Sequence, residues 1–400
     1  MYLPGGTKMN YNFDTYFNRY NTNSLKFDTK SRYGQPEDVL PMWVADMDYP
    51  VLKEVTEAIH NRAEHPAYGY TYAGEDYYNS VMAWMQNRHS YATEKDWYVI
   101  TPSVVFALAV AIRAYTKPGD GVMINTPVYP QFFKIIVNNE RKIVKSPLIL
   151  RREKEDYYKM DYAQLEEEIV RNKIKLYILC SPHNPVGRVW TKEELLTLGE
   201  ILKKHNVLLV SDEIHMDFVY SGYQHHVLAG LNKEFEDFTI TCTAPSKTFN
   251  LAGLQIANVI IANKELRKQF VKEMVKTGYA EPNIFGMVSC QAAYRYGAEY
   301  IDQMMQYLED NVKFVRAYLG THLPKVKLSH IEGTYLMWLD FLDYGLSQKE
   351  INKKLMYQAK LWLNDGDRFG EEGNGFQRIN IAVPRSVLMQ GLEQLTRAFS

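Results

Sequence analysis

Between residues 97 and 262 the chain alternates short β-branched apolar runs with longer stretches whose apolar residues recur at helical spacing. The runs fall at 97–100, 121–124, 142–144, 174–179, 207–210, 238–242 and 257–261, and helical stretches such as 104–115 and 192–205 separate most of them. This alternation predicts an α/β fold: a mostly parallel, seven-stranded sheet sandwiched by helices. Beyond residue 281 the pattern is mainly helical to 319. Shorter strand-like segments follow at 335–339 and 376–379, and a final helix starts near 385. The tail and the N-terminal segment together predict a smaller α+β unit. The expected division is a large domain over 66–290 and a small one over 1–65 and 291–400. A chain of 400 residues exceeds the size at which one hydrophobic core stops growing, so two units are the default.

Composition acts mainly by exclusion. With 46 basic and 47 acidic residues the formal net charge is -1, which leaves no broad electrostatic footprint for nucleic acid or an anionic membrane. The longest strongly apolar run, 104–112, is about half a membrane span. The opening Met1-Tyr2-Leu3-Pro4-Gly5-Gly6 lacks the charged and apolar regions of a secretory leader, so a cytoplasmic location is expected. Cys180, Cys242 and Cys290 sit far apart without metal-ligand spacing and read as buried reduced thiols, with no metal expected.

In parallel sheets ligands bind beyond the C-terminal strand ends, and three polar groups stand there. Asn184 follows the 174–179 run, in Ser181-Pro182-His183-Asn184-Pro185-Val186-Gly187. Asp212 follows 207–210, and Lys247 follows 238–242 in Pro245-Ser246-Lys247-Thr248. Singly they read as a turn asparagine, a capping aspartate and a surface lysine. Together they match the needs of pyridoxal phosphate: an amine for its aldehyde, an anion opposite its ring nitrogen and a donor near its phenolic oxygen. The phosphate needs a cradle as well. Thr101-Pro102-Ser103-Val104-Val105 turns from strand into helix, with Pro102 near the first helical position and the amides of Ser103, Val104 and Val105 turned toward an anion. No Gly-x-Gly-x-x-Gly follows a strand, so the dinucleotide fingerprint is absent.

Over nearly its whole length the chain resembles the fold-type I pyridoxal-phosphate family, the aspartate aminotransferase superfamily. Asn184-Pro185-Val186-Gly187, Ser211-Asp212-Glu213 and Ser246-Lys247 carry that likeness. Pro41-Met42-Trp43-Val44-Ala45-Asp46-Met47-Asp48 and Asp212-Glu213-Ile214-His215-Met216-Asp217 are similar to the bacterial cystathionine β-lyase, or C–S lyase, branch. The resemblance implies that Lys247 holds the cofactor as a Schiff base and then acts as the base at the substrate Cα. Asp212 would stay ionised beside the ring nitrogen, Asn184 would donate to the phenolic oxygen, and Tyr129 would stack on the ring. Arg378, in Gln377-Arg378-Ile379-Asn380, matches the clamp for the substrate α-carboxylate, a task suited to a bidentate guanidinium. Tyr70, in Tyr68-Gly69-Tyr70, resembles the residue that reaches the phosphate of a neighbouring subunit, which implies a homodimer with shared sites.

Some positions depart from the family pattern. Gln255 stands where many relatives carry a phosphate-binding arginine, and Ala244 where many carry serine. Phosphate binding then leans on the helix terminus, Ser246 and Thr243. His215 stands where aminotransferases often have tyrosine, and is either a cofactor-site residue, as in the lyase branch, or a structural histidine.

The implied reaction is β-elimination on a cysteine S-conjugate such as cystathionine, yielding a thiol, pyruvate and ammonia. The same base, electron sink and carboxylate clamp serve transamination, and pattern alone does not separate the two. A dicarboxylate aminotransferase would need a second cation facing the substrate side chain, and none is identifiable. A third reading is a regulatory protein that keeps the fold and works by contacting a partner. Trp43, Tyr68, Tyr335 and Trp338 either line an apolar pocket or pack the core.

Overall fold

The computed structural model describes residues 11–152 and 156–400. The opening hexapeptide read above for a leader lies outside the described residues. Each of the seven apolar runs overlaps a strand: Tyr98–Thr101 (β1), Gly121–Thr126 (β2), Lys142–Pro147 (β3), Leu176–Cys180 (β4), Leu208–Asp212 (β5), Thr239–Thr243 (β6) and Ala257–Ile260 (β7). They form one sheet in the order β1-β7-β6-β5-β4-β2-β3. Neighbours from β6 to β3 pair in parallel, whereas β7 is antiparallel to both β6 and β1. The reversed β7 leaves β1 pointing the same way as the parallel set. The loops after β1, β2, β4, β5 and β6 therefore all open on one edge of the sheet.

The middle strands are apolar without a two-residue alternation because helices cover both faces. Side chains of one parity, such as Leu176, Ile178 and Val210, pack against the helices Val104–Tyr115 and Lys264–Val275. Those of the other parity, such as Tyr177, Leu179 and Leu209, meet Tyr162–Asn172 and Lys192–Lys204. The last of these helices opens with a capping box. The Thr191 hydroxyl accepts from the Glu194 amide, and the Glu194 carboxylate accepts from the Thr191 amide, an arrangement worth about 1 kcal/mol.

A second, antiparallel sheet combines Lys327–Leu328 (β8), Leu336–Asp340 (β9), Asn364–Asp365 (β10) and Phe376–Asn380 (β11) in the order β8-β9-β11-β10. The N-terminal segment joins this region: Leu40–Pro41 pairs in parallel with Leu361–Trp362. From there residues 42–48 cross between the two sheets. A hairpin of Ile149–Arg152 with Asp156–Lys159 was not apparent in the hydrophobic pattern, since its residues are largely polar or charged. All three cysteines are buried free thiols. Among the described residues no helix is long and apolar enough to cross a membrane.

Candidate active site

A cavity of about 450 Å³ opens at the edge where the strand-end loops converge. Ser103, Val104 and Val105 line one side, Tyr129 and Asn184 another, and Asp212, His215, Ser246 and Lys247 complete it. Two predicted site residues stand outside the lining. Arg378 adjoins the cavity through Asn184, and Tyr70 is 96% exposed on the surface of this chain.

The strand-to-helix turn differs in one detail from the sequence expectation. Ser103, not Pro102, sets the helix start: it is the N-cap, and its hydroxyl accepts from the Phe106 amide at 3.1 Å, so Pro102 lies ahead of the helix rather than in its first turn. With the third amide taken by the cap, the first two amides, of Val104 and Val105, have no intrahelical acceptor and stand at the positive end of the helix dipole.

Register explains the electrostatics of Asp212. It is paired with Cys180 on β4 and with Cys242 on β6, so the carboxylate stands in a row with two buried thiols. Burial raises its pKa to about 7, although the Ile214 amide and Lys247 both favour the anion. Lys247 keeps part of its surface open to the cavity, and its Nζ donates to the Ala45 carbonyl at 2.6 Å. Burial pulls the amine down to about 8, with Asp46 opposing and Arg378 reinforcing the shift. His215 is held well below its ordinary value by burial and then by Lys247 and Arg378, so it is neutral at physiological pH, and its buried Nδ1 has no hydrogen-bond partner.

Arg378 joins the two sheets. It lies on β11 opposite Trp338, its Nη1 donates to Asn184 Oδ1 at 2.9 Å, and its Nη2 donates to the Trp43 carbonyl at 3.0 Å. A guanidinium only donates, so the Asn184 amide must turn its oxygen to Arg378, which leaves its NH2 group as the donor available to a ligand. The Arg378 guanidinium packs over the Phe369 ring, its buried Nε has no partner, and burial lowers its pKa to about 10. It remains a cation at neutral pH.

Opposite Lys247 runs a strap of backbone, residues 43–47, which meets the cavity at Ala45. Trp43 O accepts from Asn364 as well as Arg378, and Asn380 Nδ2 donates to both Val44 O and Asp46 O. Ala45 O accepts from Tyr335 as well as Lys247, and the Asn250 amide pairs with Met47 N–H and C=O at 3.0 and 2.8 Å. Outside the cleft, Arg19 and the fully buried Lys26 bridge Asp46 and Asp48. Sequence reading singled out this strap as a branch-like string and offered the Trp43 side chain as a pocket candidate, but its working atoms are main-chain carbonyls that any residue would supply. A further signal was the set of asparagines, Asn250, Asn364 and Asn380, whose side chains hold the strap.

Cys180, Ile214 and Gln255 also line the cavity. Tyr335 and Trp338 are core residues, Tyr68 is exposed, and Trp43 stacks on Trp362 at 4.4 Å, so none of the four aromatic candidates lines the cavity.

The chain is similar over nearly its whole length to known proteins. Cystathionine beta-lyase PatB of Bacillus subtilis (strain 168) is 39% identical over 389 residues, spanning 97% of this chain and 100% of the relative. A PLP-bound protein of Clostridium difficile 630, provisionally named an aminotransferase, superposes with a TM-score of 0.94 at 40% identity, covering 98% of this chain and 100% of the other. Cystalysin of Treponema denticola, whose structure contains a pyridoxal 5'-phosphate cofactor, gives a TM-score of 0.93 at 38% identity over 98% and 99% of the two chains. The model of aminotransferase class I and II matches residues 37–395, and the chain belongs to that family.

Proposed function

We propose that this protein is a pyridoxal-phosphate-dependent C–S lyase that eliminates the β-thiol of cystathionine or a related cysteine S-conjugate, releasing pyruvate and ammonia. The observation that carries the reading is the gathering of Lys247, Asp212 and Asn184 on one cavity, with Arg378 beside it. The end-to-end similarity to a cystathionine β-lyase selects elimination among the reactions such a site can perform.

The residues present fit the cofactor. An amine, a carboxylate and an amide donor face one space, two helix amides stand ready for an anion, and two buried cationic or imidazole nitrogens, Arg378 Nε and His215 Nδ1, lack partners. When bound, the cofactor supplies an electron sink for the negative charge that develops at the substrate Cα. The chain's own groups do the rest. Val104 and Val105 amides, with Ser246, would hold the phosphate, and Tyr129 would cover the ring. Asp212 would supply the anion that a cationic ring nitrogen needs, and such a cation would offset the burial that raises its carboxyl. Arg378 takes the substrate carboxylate and fixes the orientation of the bonds at Cα. Lys247, with its amine pulled to about 8, has a substantial neutral fraction at physiological pH and removes the Cα proton. Ala45, pinned in the strap, meets the Lys247 amine through its carbonyl.

The reading includes a homodimer in which the exposed Tyr70 completes the phosphate site of the partner, a large 66–290 domain with a small one of 1–65 and 291–400, an amino-acid substrate and a cytoplasmic location. Gel filtration with Tyr70→Phe, which keeps the dimer while weakening cofactor retention, tests the first of these. For the reaction, purified protein with pyridoxal phosphate and L-cystathionine is assayed for pyruvate and free thiol together. Both are expected, and both are expected to vanish in Lys247→Ala. Keto acid that forms only when an acceptor keto acid is added would replace elimination by transamination.

A further inference from the structure

Behind the cavity wall lies a buried polar cluster that the reaction does not use. The loop after Asp212 makes two tight turns, closed by Met216 N–H to Glu213 O at 3.0 Å and Phe218 N–H to His215 O at 2.9 Å. These send His215 to the cavity and bury Asp217 on the other side, away from the cavity lining. There Asp217 Oδ2 accepts from the Thr248 hydroxyl at 2.7 Å. Its Oδ1 accepts from Trp84 Nε1 at 3.1 Å and stands 2.9 Å from His89 Nε2. Arg88 Nε is 3.8 Å away. Trp84, Arg88 and His89 all belong to the helix Glu75–His89.

Thr248 is the residue after Lys247, and both lie in the single helical turn Pro245–Thr248. One turn of helix is unstable by itself, since it makes too few backbone bonds to offset the dihedrals it fixes. Its orientation must come from outside. On the cavity side Lys247 Nζ is tied to Ala45 O and Asn250 to Met47, both on the strap. On the far side the Thr248–Asp217 bond is the polar tie, and Phe249 adds an apolar one against Trp84 at 5.5 Å.

We propose that Asp217 is a positioning residue for Lys247, holding the lysine turn at a fixed depth relative to Asp212 by accepting the Thr248 hydroxyl. Because Asp217 follows Asp212 by five residues, one rigid loop then sets both the anion and the amine. Burial works to raise the Asp217 carboxyl, and His89, Thr248 and Arg88 outweigh it and hold the group below the ordinary carboxylate range, so the tie is charge-assisted. Asp217 lies outside the cavity lining and acts only through Thr248.

The inference rests on Lys247 being the residue that binds the cofactor, and the test keeps the two apart. Holoenzyme with Thr248→Val, Thr248→Ser and Asp217→Asn is titrated with pH while the visible absorbance of the bound cofactor is followed, and kcat, KM and Tm are measured on the same samples. Thr248→Val is expected to move the absorbance midpoint by about 0.5 unit or more and to lower kcat about tenfold with KM within about twofold. Thr248→Ser restores both, since it returns the hydroxyl. Asp217→Asn shifts the midpoint in the same sense as Thr248→Val. A Thr248→Val enzyme that melts earlier but keeps the wild-type midpoint and kcat overturns the proposal and leaves Asp217 a packing residue. A Lys247→Ala protein that retains the pH-dependent visible band instead overturns the reading of Lys247 itself.

Discussion

The two walls of the cleft are built from different materials. The sheet wall presents side chains at strand ends: Asn184 after β4, Asp212 at the end of β5 and Lys247 after β6. The strap meets the cavity at Ala45, and its main-chain carbonyls from Trp43 to Met47 are each held by a side chain from elsewhere. On the first wall chemistry depends on residue identity; on the second it depends on where the backbone is pinned. Substitutions should therefore act steeply on the sheet wall. On the strap they should act gradually, because a displaced carbonyl weakens a contact without removing a reacting group.

The sharpest contrast is expected at Lys247. Lys247→Ala should lower pyruvate release by about 10³-fold or more, while its thermal unfolding stays close to that of the wild type. Substantial turnover in this variant would end the distinction between the walls. Arg378→Ala comes next, with kcat/KM falling by about 10²–10³ through loss of charge-assisted carboxylate binding. Because the same guanidinium also pins Asn184 and Trp43, part of that loss should persist in Arg378→Lys, which cannot span both contacts.

Asp212→Asn separates function from stability within the sheet wall. Catalysis should fall by about 10²-fold, because a neutral amide cannot balance a cationic ring nitrogen. The apoprotein should gain stability. The folded carboxyl is raised to about 7, above an unfolded value of about 3.9, so across that window the folded state binds more protons and stability falls as pH rises. Above pH 7 the whole cost is present. Urea unfolding of apoprotein should show Asp212→Asn more stable than wild type by on the order of 2 kcal/mol at pH 8, and by much less at pH 5. An equal difference at both pH values would contradict the buried-carboxylate account.

The smallest effect is expected on the strap. Asn380→Ala removes the donor to two strap carbonyls and should cost about 1–3 kcal/mol of stability, with kcat/KM reduced about fivefold. A loss as large as that of Arg378→Ala would show that the strap carries chemistry of its own.

The difference between the walls also explains what could be read in advance. The seven runs that became β1 to β7 were visible because strands covered on both faces must be apolar along their length. Their ends stood out because a polar residue after such a run breaks the pattern, which is how Asn184, Asp212 and Lys247 came forward. The reversed direction of β7 was not legible, since an apolar run carries no sign of its pairing sense. Asp217 was visible only as a letter in a motif, because its partners Trp84, His89 and Thr248 come from distant parts of the chain.

Residue identity and order along the chain thus determined the α/β architecture, the strand ends that carry the polar groups and the family to which they belong. Tertiary structure alone decided that Arg378 reaches Asn184 from the second sheet, that two thiols flank Asp212, and that the strap turns the Ala45 carbonyl onto Lys247. The physical reason is that a side chain's chemistry is local and travels with its residue. The depth of burial, the partner across a gap and the direction of a backbone carbonyl are properties of how distant segments pack, and no single segment contains them.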